Sequence, residues 1–312
     1  MNLKVQPSQL ICSDVCAWPN LKKFDNGELM LLFHNEASHV VNEGELDLLF
    51  STDNGRSWGQ RQTVFHHQPG TCRTNHAAGI SGDRVVMLCS GWKLFRERLL
   101  IPASMISCDR GKTWESYAET PGLSPLTWVA FGNIVQADNG DLCVAAYLNL
   151  NGLVESCFIR SCDQGVSWKT IARIADRCNE TDIAHLGGGH WIAVVRTEDR
   201  GILQYDSVDD GRSWHFIRQL TRPRQVTGNL CRFSDSRLIF SFGDRTEGNF
   251  GVRAMISENN GKSWSDAFEL VKTQSGDCGY PSSVQLNNGE ILTAYYTKTD
   301  ESYELRSVRW QI

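Results

Sequence analysis

Glu180 and Tyr280 are the two side chains best suited, by type and position, to act on one bond together. They lie a hundred residues apart, yet each stands nine residues before the last residue of a recurring tight turn. Trp18, Thr74, Phe131 and Thr227 hold the same register before four other turns. A carboxylate beside a phenol can draw the phenolic proton, whose ordinary pKa of about 10 otherwise leaves that oxygen a poor nucleophile. The same pair could instead form a Tyr–Glu hydrogen bond that plugs a channel, and register alone leaves both readings open.

The elements that must position these residues are repeats. The turns are Asp25-Asn-Gly27, Ser81-Gly-Asp83, Asp138-Asn-Gly140, Gly187-Gly-Gly189, Ser234-Asp-Ser236 and Asn287-Asn-Gly289. Asn-Gly between apolar runs is a strong hairpin signal. The runs that follow, such as Leu29-Met-Leu-Leu-Phe33 and Trp191-Ile-Ala-Val-Val195, read as buried strands. Between hairpins an octamer recurs as Ser51-Thr-Asp-Asn-Gly-Arg-Ser-Trp58, Ser107-Cys-Asp-Arg-Gly-Lys-Thr-Trp114, Ser161-Cys-Asp-Gln-Gly-Val-Ser-Trp168 and Ser207-Val-Asp-Asp-Gly-Arg-Ser-Trp214. A fifth copy, Ser257-Glu-Asn-Asn-Gly-Lys-Ser-Trp264, has Asn259 in place of aspartate. The spacing is roughly fifty residues, the period of a blade-type array. Six hairpins predict an all-β, six-bladed β-propeller formed as a single domain by residues 1–312. The N-terminal segment Leu3 to Cys12 is expected to supply the last blade's missing strand and so remove exposed sheet edges. In such a ring the innermost strands start near the axis, where ligand pockets form.

The octamers resemble the Asp boxes of the sialidases and related propellers. That resemblance implies structural roles for Asp53, Asp109, Asp163 and Asp209 at peripheral turns. It also implies a tyrosine nucleophile activated by a glutamate. Gly279-Tyr280-Pro-Ser-Ser is similar to the family's tyrosine segment, and Asn179-Glu180-Thr-Asp-Ile followed by Val194-Val-Arg196 to its glutamate hairpin. The implied activity is a retaining exo-glycoside hydrolysis of a carboxylated, sialic-acid-like or other acidic sugar. A neutral phenol avoids the repulsion that a carboxylate nucleophile would meet there. Arginines suit the substrate carboxylate because they donate paired N–H groups. The resemblance implies this role for Arg196, with Arg245 or Arg253 beside it. The chain departs from the pattern at Ala17-Trp18-Pro19, where the family carries an arginine in place of Ala17; Arg73 holds the equivalent register one blade on. The usual general-acid aspartate is also absent, and its segment offers Glu36 and His39. Trp18, Phe131 and Trp128 could stack on a sugar or fill the channel. Two alternatives stand beside hydrolysis: a carbohydrate-binding propeller without turnover, and a polysaccharide lyase on the same scaffold.

Composition narrows the partners. A net charge of −5 over 312 residues argues against nucleic acid or an anionic membrane, leaving a small carbohydrate or acidic glycoside as the expected ligand. No cofactor and no metal are expected, since His66-His67 lacks a second ligand cluster and Gly187 to Gly189 occupy a hairpin turn. Arg96-Glu97-Arg98, beside Trp92 and Phe95, reads as a solvated charge cluster or a pocket-lining loop. Eleven cysteines without CxxC spacing suggest reduced thiols. With an opening segment, Met1 to Pro7, that lacks a signal-like apolar stretch, they lead to an expected cytoplasmic location.

Overall fold

The computed structural model describes residues 3–122, 128–150 and 153–312. Among them the regular structure is β-strand, apart from one short 3-10 turn at Leu94–Arg96. The strands form six consecutive antiparallel units, each running up and down in chain order.

The first unit comprises Asn20–Lys23, Leu29–His34, Leu46–Ser51 and Gln62–Phe65. The second comprises Thr71–Ser81, Arg84–Lys93, Ala103–Ser107 and Glu115–Tyr117. Trp128–Gln136, Leu142–Leu150, Leu153–Ser161 and Lys169–Asp176 make the third. Thr181–Gly187, His190–Arg196, Ile202–Ser207 and His215–Gln219 make the fourth. The fifth holds Gln225–Arg232, Leu238–Asp244, Gly251–Ser257 and Phe268–Lys272. The sixth has Cys278–Gln285, Ile291–Lys298 and Tyr303–Gln311, and its outer edge pairs with Lys4–Val5 and Gln9–Ser13.

Each unit's first strand packs beside the next unit's first strand, and Cys278–Gln285 packs beside Asn20–Lys23. The approach is close enough between the second and third units for a parallel bridge, Ala77 to Gly132 and Ala78 to Asn133. Gly79 makes this contact possible, since a Cβ there would collide with the Ile134 carbonyl oxygen; Gly132 (φ +78°) likewise lets the third unit approach the Asp182 carboxylate of the fourth.

Apolar cores lie between successive units. Leu32 and Leu48 pack with Met87, Trp168 with Val86 and Leu142, and Phe158 with Trp191. Leu31 and Leu292 share a core that joins the first unit to the sixth.

The octamers build one turn repeatedly. Ser51 Oγ donates to Asp53 Oδ1 at 2.8 Å, and Asp53 accepts from the Arg56 and Ser57 amides at 2.9 Å each. Ser57 Oγ closes the turn on Asp53 Oδ2 at 2.6 Å. The hydroxyl and amide of Thr113 hold Asp109 at about 2, well below an ordinary aspartate. Asn259 keeps the geometry with one role reversed: its Oδ1 accepts from the Ser263 amide at 2.8 Å while its Nδ2 donates to Ser263 Oγ at 2.7 Å. Each octamer tryptophan enters the core shared with the preceding unit: Trp58, Trp114, Trp168, Trp214 and Trp264 in turn.

Candidate functional site

The register that aligns Glu180 with Tyr280 is where the hairpin ladders break. In the second, third, fifth and sixth units the pairing of the first strand slips there, between Arg73 and His76, Phe131 and Val135, Val226 and Gly228, and Gly279 and Ser282. In the first and fourth units Trp18 and Glu180 lie just ahead of the strand. A bulge re-aims its side chain, and here the bulged residues turn toward a shared centre. Tyr280 (φ +50°), Thr227 (φ +54°) and Trp18 (φ +41°) adopt left-handed backbone to do so. Pro19 and Pro281 follow Trp18 and Tyr280; neither could donate a ladder bond in any case.

Three strands converge on the Glu180 carboxylate. Tyr280 Oη donates to its Oε1, and Arg196 Nη1 donates to its Oε2. Thr227 Oγ1 donates to Oε2 at 2.9 Å, and Arg196 Nη1 also reaches Tyr280 Oη at 3.1 Å. Arg196 is placed by continuation of its hairpin, its amide bonding to the Glu180 carbonyl at 3.0 Å. Burial alone would raise the Glu180 pKa, but the Arg196 charge and the hydrogen bonds from Tyr280, Arg196 and Thr227 outweigh it and hold the carboxyl below its usual value. Burial and the adjacent Glu180 charge push the Tyr280 phenol up to about 12, although Arg196 and Arg245 pull the other way. At neutral pH the pair is therefore a phenol donating to an ionised carboxylate.

Glu180, Arg196 and Tyr280 line a cavity of about 270 Å³. Trp18, Phe131 and Tyr147 supply aromatic surface, and Arg196, Arg245 and Arg96 supply guanidinium groups. Arg245 lies over the Tyr280 ring, its Cζ 5.7 Å from the centroid. Its Nε donates to the Cys278 carbonyl at 3.0 Å and its Nη2 to Tyr296 Oη at 2.8 Å. Tyr296 passes the chain to Asp277 Oδ1 at 2.7 Å. Asp277 Oδ2 accepts from Tyr303 Oη at 2.6 Å and sits 3.2 Å from His39 Nε2. Burial would raise Asp277, yet its bonds from His39, Tyr303 and Tyr296 hold it far below the ordinary range. His39 packs edge-on to Trp18 with centroids 5.2 Å apart.

Of the site residues expected from sequence, Tyr280, Glu180, Arg196, Arg245, His39 and Trp18 meet at the cavity. Three do not. Glu36 bonds Asn42 Nδ2 at 3.0 Å, away from the cavity lining. Arg253 lies within Gly251–Ser257, one strand farther out than Arg245, and is held by Asp244 at 2.9 Å. Arg73 turns to the other side of the bulge, where its Nη1 contacts the Ile101 carbonyl at 3.4 Å and lines a separate surface depression. Ala17 is fully buried. Arg96 fits both readings of its segment: it is exposed, and it lines the cavity with its Cζ 5.8 Å from the Trp92 ring.

Asp277, Tyr296, Tyr303, Tyr147 and Glu198 join the site without a motif in the sequence to mark them. Asp277 carried one available signal, since it stands three residues before Tyr280. Thr227 was visible in the register but had no assigned role.

The comparisons with known proteins agree with this architecture. Residues 80–293 match the family model described as a BNR repeat-like domain. The structure is similar to a protein of unknown function from Dyadobacter fermentans DSM 18053, at 21% identity over 99% of both chains with a TM-score of 0.86. It is also similar to a Hadza microbial sialidase (15% identity, 93% of this chain and 64% of that one, TM-score 0.78). The Trypanosoma rangeli sialidase in complex with the inhibitor DANA is 17% identical over 93% of this chain and 54% of that one, with a TM-score of 0.76. The chain thus spans between half and two thirds of those sialidases, and at such identities the likeness is one of fold. No curated protein sequence matches the chain. With its octamers, its all-β units and this match over most of its length, the chain belongs to the BNR repeat-like family.

Proposed function

We propose that the six units are the blades of one closed propeller, formed by the whole chain, and that the cavity is the active site of an exo-acting glycoside hydrolase for a carboxylated sugar. The observation that carries this reading is the Tyr280 phenol donating to Glu180 while Arg196 reaches both. As Tyr280 Oη bonds to the anomeric carbon, its proton passes to Glu180 and the glycosidic C–O bond breaks. His39, oriented by Asp277, supplies a proton to the departing oxygen. In the second step His39, now lacking that proton, takes one from the water that attacks the anomeric carbon, while Glu180 returns its proton to Tyr280 Oη as the bond to the sugar breaks, with overall retention. Arg196 and Arg245 pair with the substrate carboxylate, Arg96 adds positive charge from the rim, and Trp18 offers a ring to a sugar face.

The test is Tyr280→Phe assayed against a panel of acidic glycosides, sialosides and other ulosonic acids included, with product stereochemistry read by NMR. Turnover is expected to disappear while ligand binding stays nearly intact. Undiminished hydrolysis by the variant eliminates the covalent route.

A second reading, a carbohydrate-binding propeller without turnover, is favoured by Ala17, which brings no charge where the family has an arginine. Saturable binding of an acidic glycoside with no product after prolonged incubation supports it over hydrolysis.

A further inference from the structure

The first strands of all six units also end around a second depression, of about 520 Å³, at the far end of those strands from Tyr280. Its lining includes Lys22, Lys23 and Arg232, and no aspartate or glutamate among the described residues. In a chain of net charge −5 that concentration of cations is unusual. Among the described residues none of the three forms an ion pair. Lys22 Nζ donates to Asn133 Oδ1 at 2.6 Å and to its neighbour's carbonyl at 3.3 Å. Lys23 Nζ donates to Asn287 Oδ1 at 2.8 Å, and Arg232 Nη1 to the His185 carbonyl at 3.0 Å.

Behind the depression lies Asp182, whose carboxylate already accepts four hydrogen bonds. It accepts from the Asn133 and Leu230 amides at 2.7 and 2.8 Å, and from Asn133 Nδ2 and Asn229 Nδ2 at 2.8 and 3.0 Å. Burial pushes its carboxyl up to about 6, and its charge reaches Lys22 through space without a direct ion pair. Burial in turn pulls the Lys22 ammonium down to about 8, the expected result for a desolvated cation whose direct partners are neutral. An anion placed beside it would offset that desolvation. Ile80, Ile134, Ile183, Leu230 and Val284 give the same depression an apolar wall.

We propose that this depression binds a small multivalent organic anion, either a phosphate ester or a polycarboxylate. Its charged groups face Lys22, Lys23 and Arg232, and its carbon skeleton lies against the apolar wall. The site is separate from the Tyr280 cavity and would be occupied whether or not that cavity is catalytic.

Calorimetric titration of the full chain at low ionic strength tests the site, with inorganic pyrophosphate and citrate as probes. One-site binding is expected, and the tighter probe identifies the ligand as phosphate-like or carboxylate-like. The Lys23→Met/Arg232→Gln double variant alters side chains at the surface of the depression, so folding should be spared. It is expected to weaken binding by about tenfold or more through loss of two charge-assisted contacts. Arg245→Gln, in the other cavity, is expected to bind the probe as the wild type does. Absence of binding by both probes at millimolar concentration overturns the proposal. So does undiminished affinity in the double variant, or loss of affinity in Arg245→Gln in its place.

Discussion

Glu180 is pulled in two directions. Burial opposes its charge, while Arg196, Tyr280 and Thr227 favour it, and the charge wins because three donors converge on two oxygens. Tyr280, with its pKa near the upper end of the phenol range, keeps its proton at rest. Under the proposed mechanism the proton therefore moves only as the phenol oxygen becomes a bonding partner. Replacing Glu180 with Gln is expected to lower kcat by about 10²–10⁴, the usual worth of a general base. The pH profile follows from the depressed pKa. The ionised form is present above that pKa and is lost as pH falls through it, so the acid limb of the rate should lie below the ordinary 4.5 and vanish in Glu180→Gln. A limb centred above 4.5 would argue that another group must be ionised. The legible part of this site was the set of residues locked to the turn register. Asp277 and Tyr303 were hidden because their relation to His39 arises between units, where sequence distance carries no information.

Among the elements, the octamer turn does most to define each unit. Its serine, aspartate and second hydroxyl saturate the turn's amides, and its tryptophan reaches back into the core of the unit before it. Asn259 shows that the motif needs an acceptor and a partner for the hydroxyl rather than a negative charge. Trp168 is fully buried, with its Nε1 bonded to the Gly165 carbonyl at 3.1 Å. Trp168→Ala is expected to cost about 3–5 kcal/mol, as large-to-small core substitutions of aromatics do. Urea denaturation followed by far-UV circular dichroism measures it, and a loss under about 1 kcal/mol would mean that the inter-unit core is not a principal source of stability. The turn itself was readable from residue types. The unit receiving the tryptophan was not, because packing direction depends on the twist between neighbouring sheets.

For the whole molecule the decisive contact joins the two ends of the chain. Lys4–Val5 and Gln9–Ser13 pair with Tyr303–Gln311, and Ser8 Oγ and Tyr295 Oη lie 2.6 Å apart. The first unit's octamer glycine, Gly55, packs on Leu292 of the sixth unit, just as Gly111 packs on Phe50 of the first. Removing residues 1–13 strips the outer strands from the last unit and leaves Tyr303–Gln311 as a bare edge. Such an edge templates association with other chains. The truncated protein is expected to melt at lower temperature and to scatter light at concentrations where the full chain stays clear. Equal melting and solubility would show that the sixth unit does not depend on the N-terminal strands.

What the amino-acid sequence determined by itself is periodic: the six hairpins, the octamer turns, and the register that sets Glu180, Thr227 and Tyr280 at matching positions. These follow from local rules, since turn residues select backbone angles and apolar runs select buried strands. The choice of Arg245 over Arg253, of His39 over Glu36, and of Arg96 rather than Arg73 at the cavity belongs to the tertiary structure alone. Arg245 just past the end of its strand and Arg253 in the next strand differ in which way the sheet turns them. Arg73 and Thr74 are separated by a bulge that sends one side chain outward and the other inward. Those directions are set by how the twisted units pack against one another, a property of the assembled molecule that no single repeat encodes.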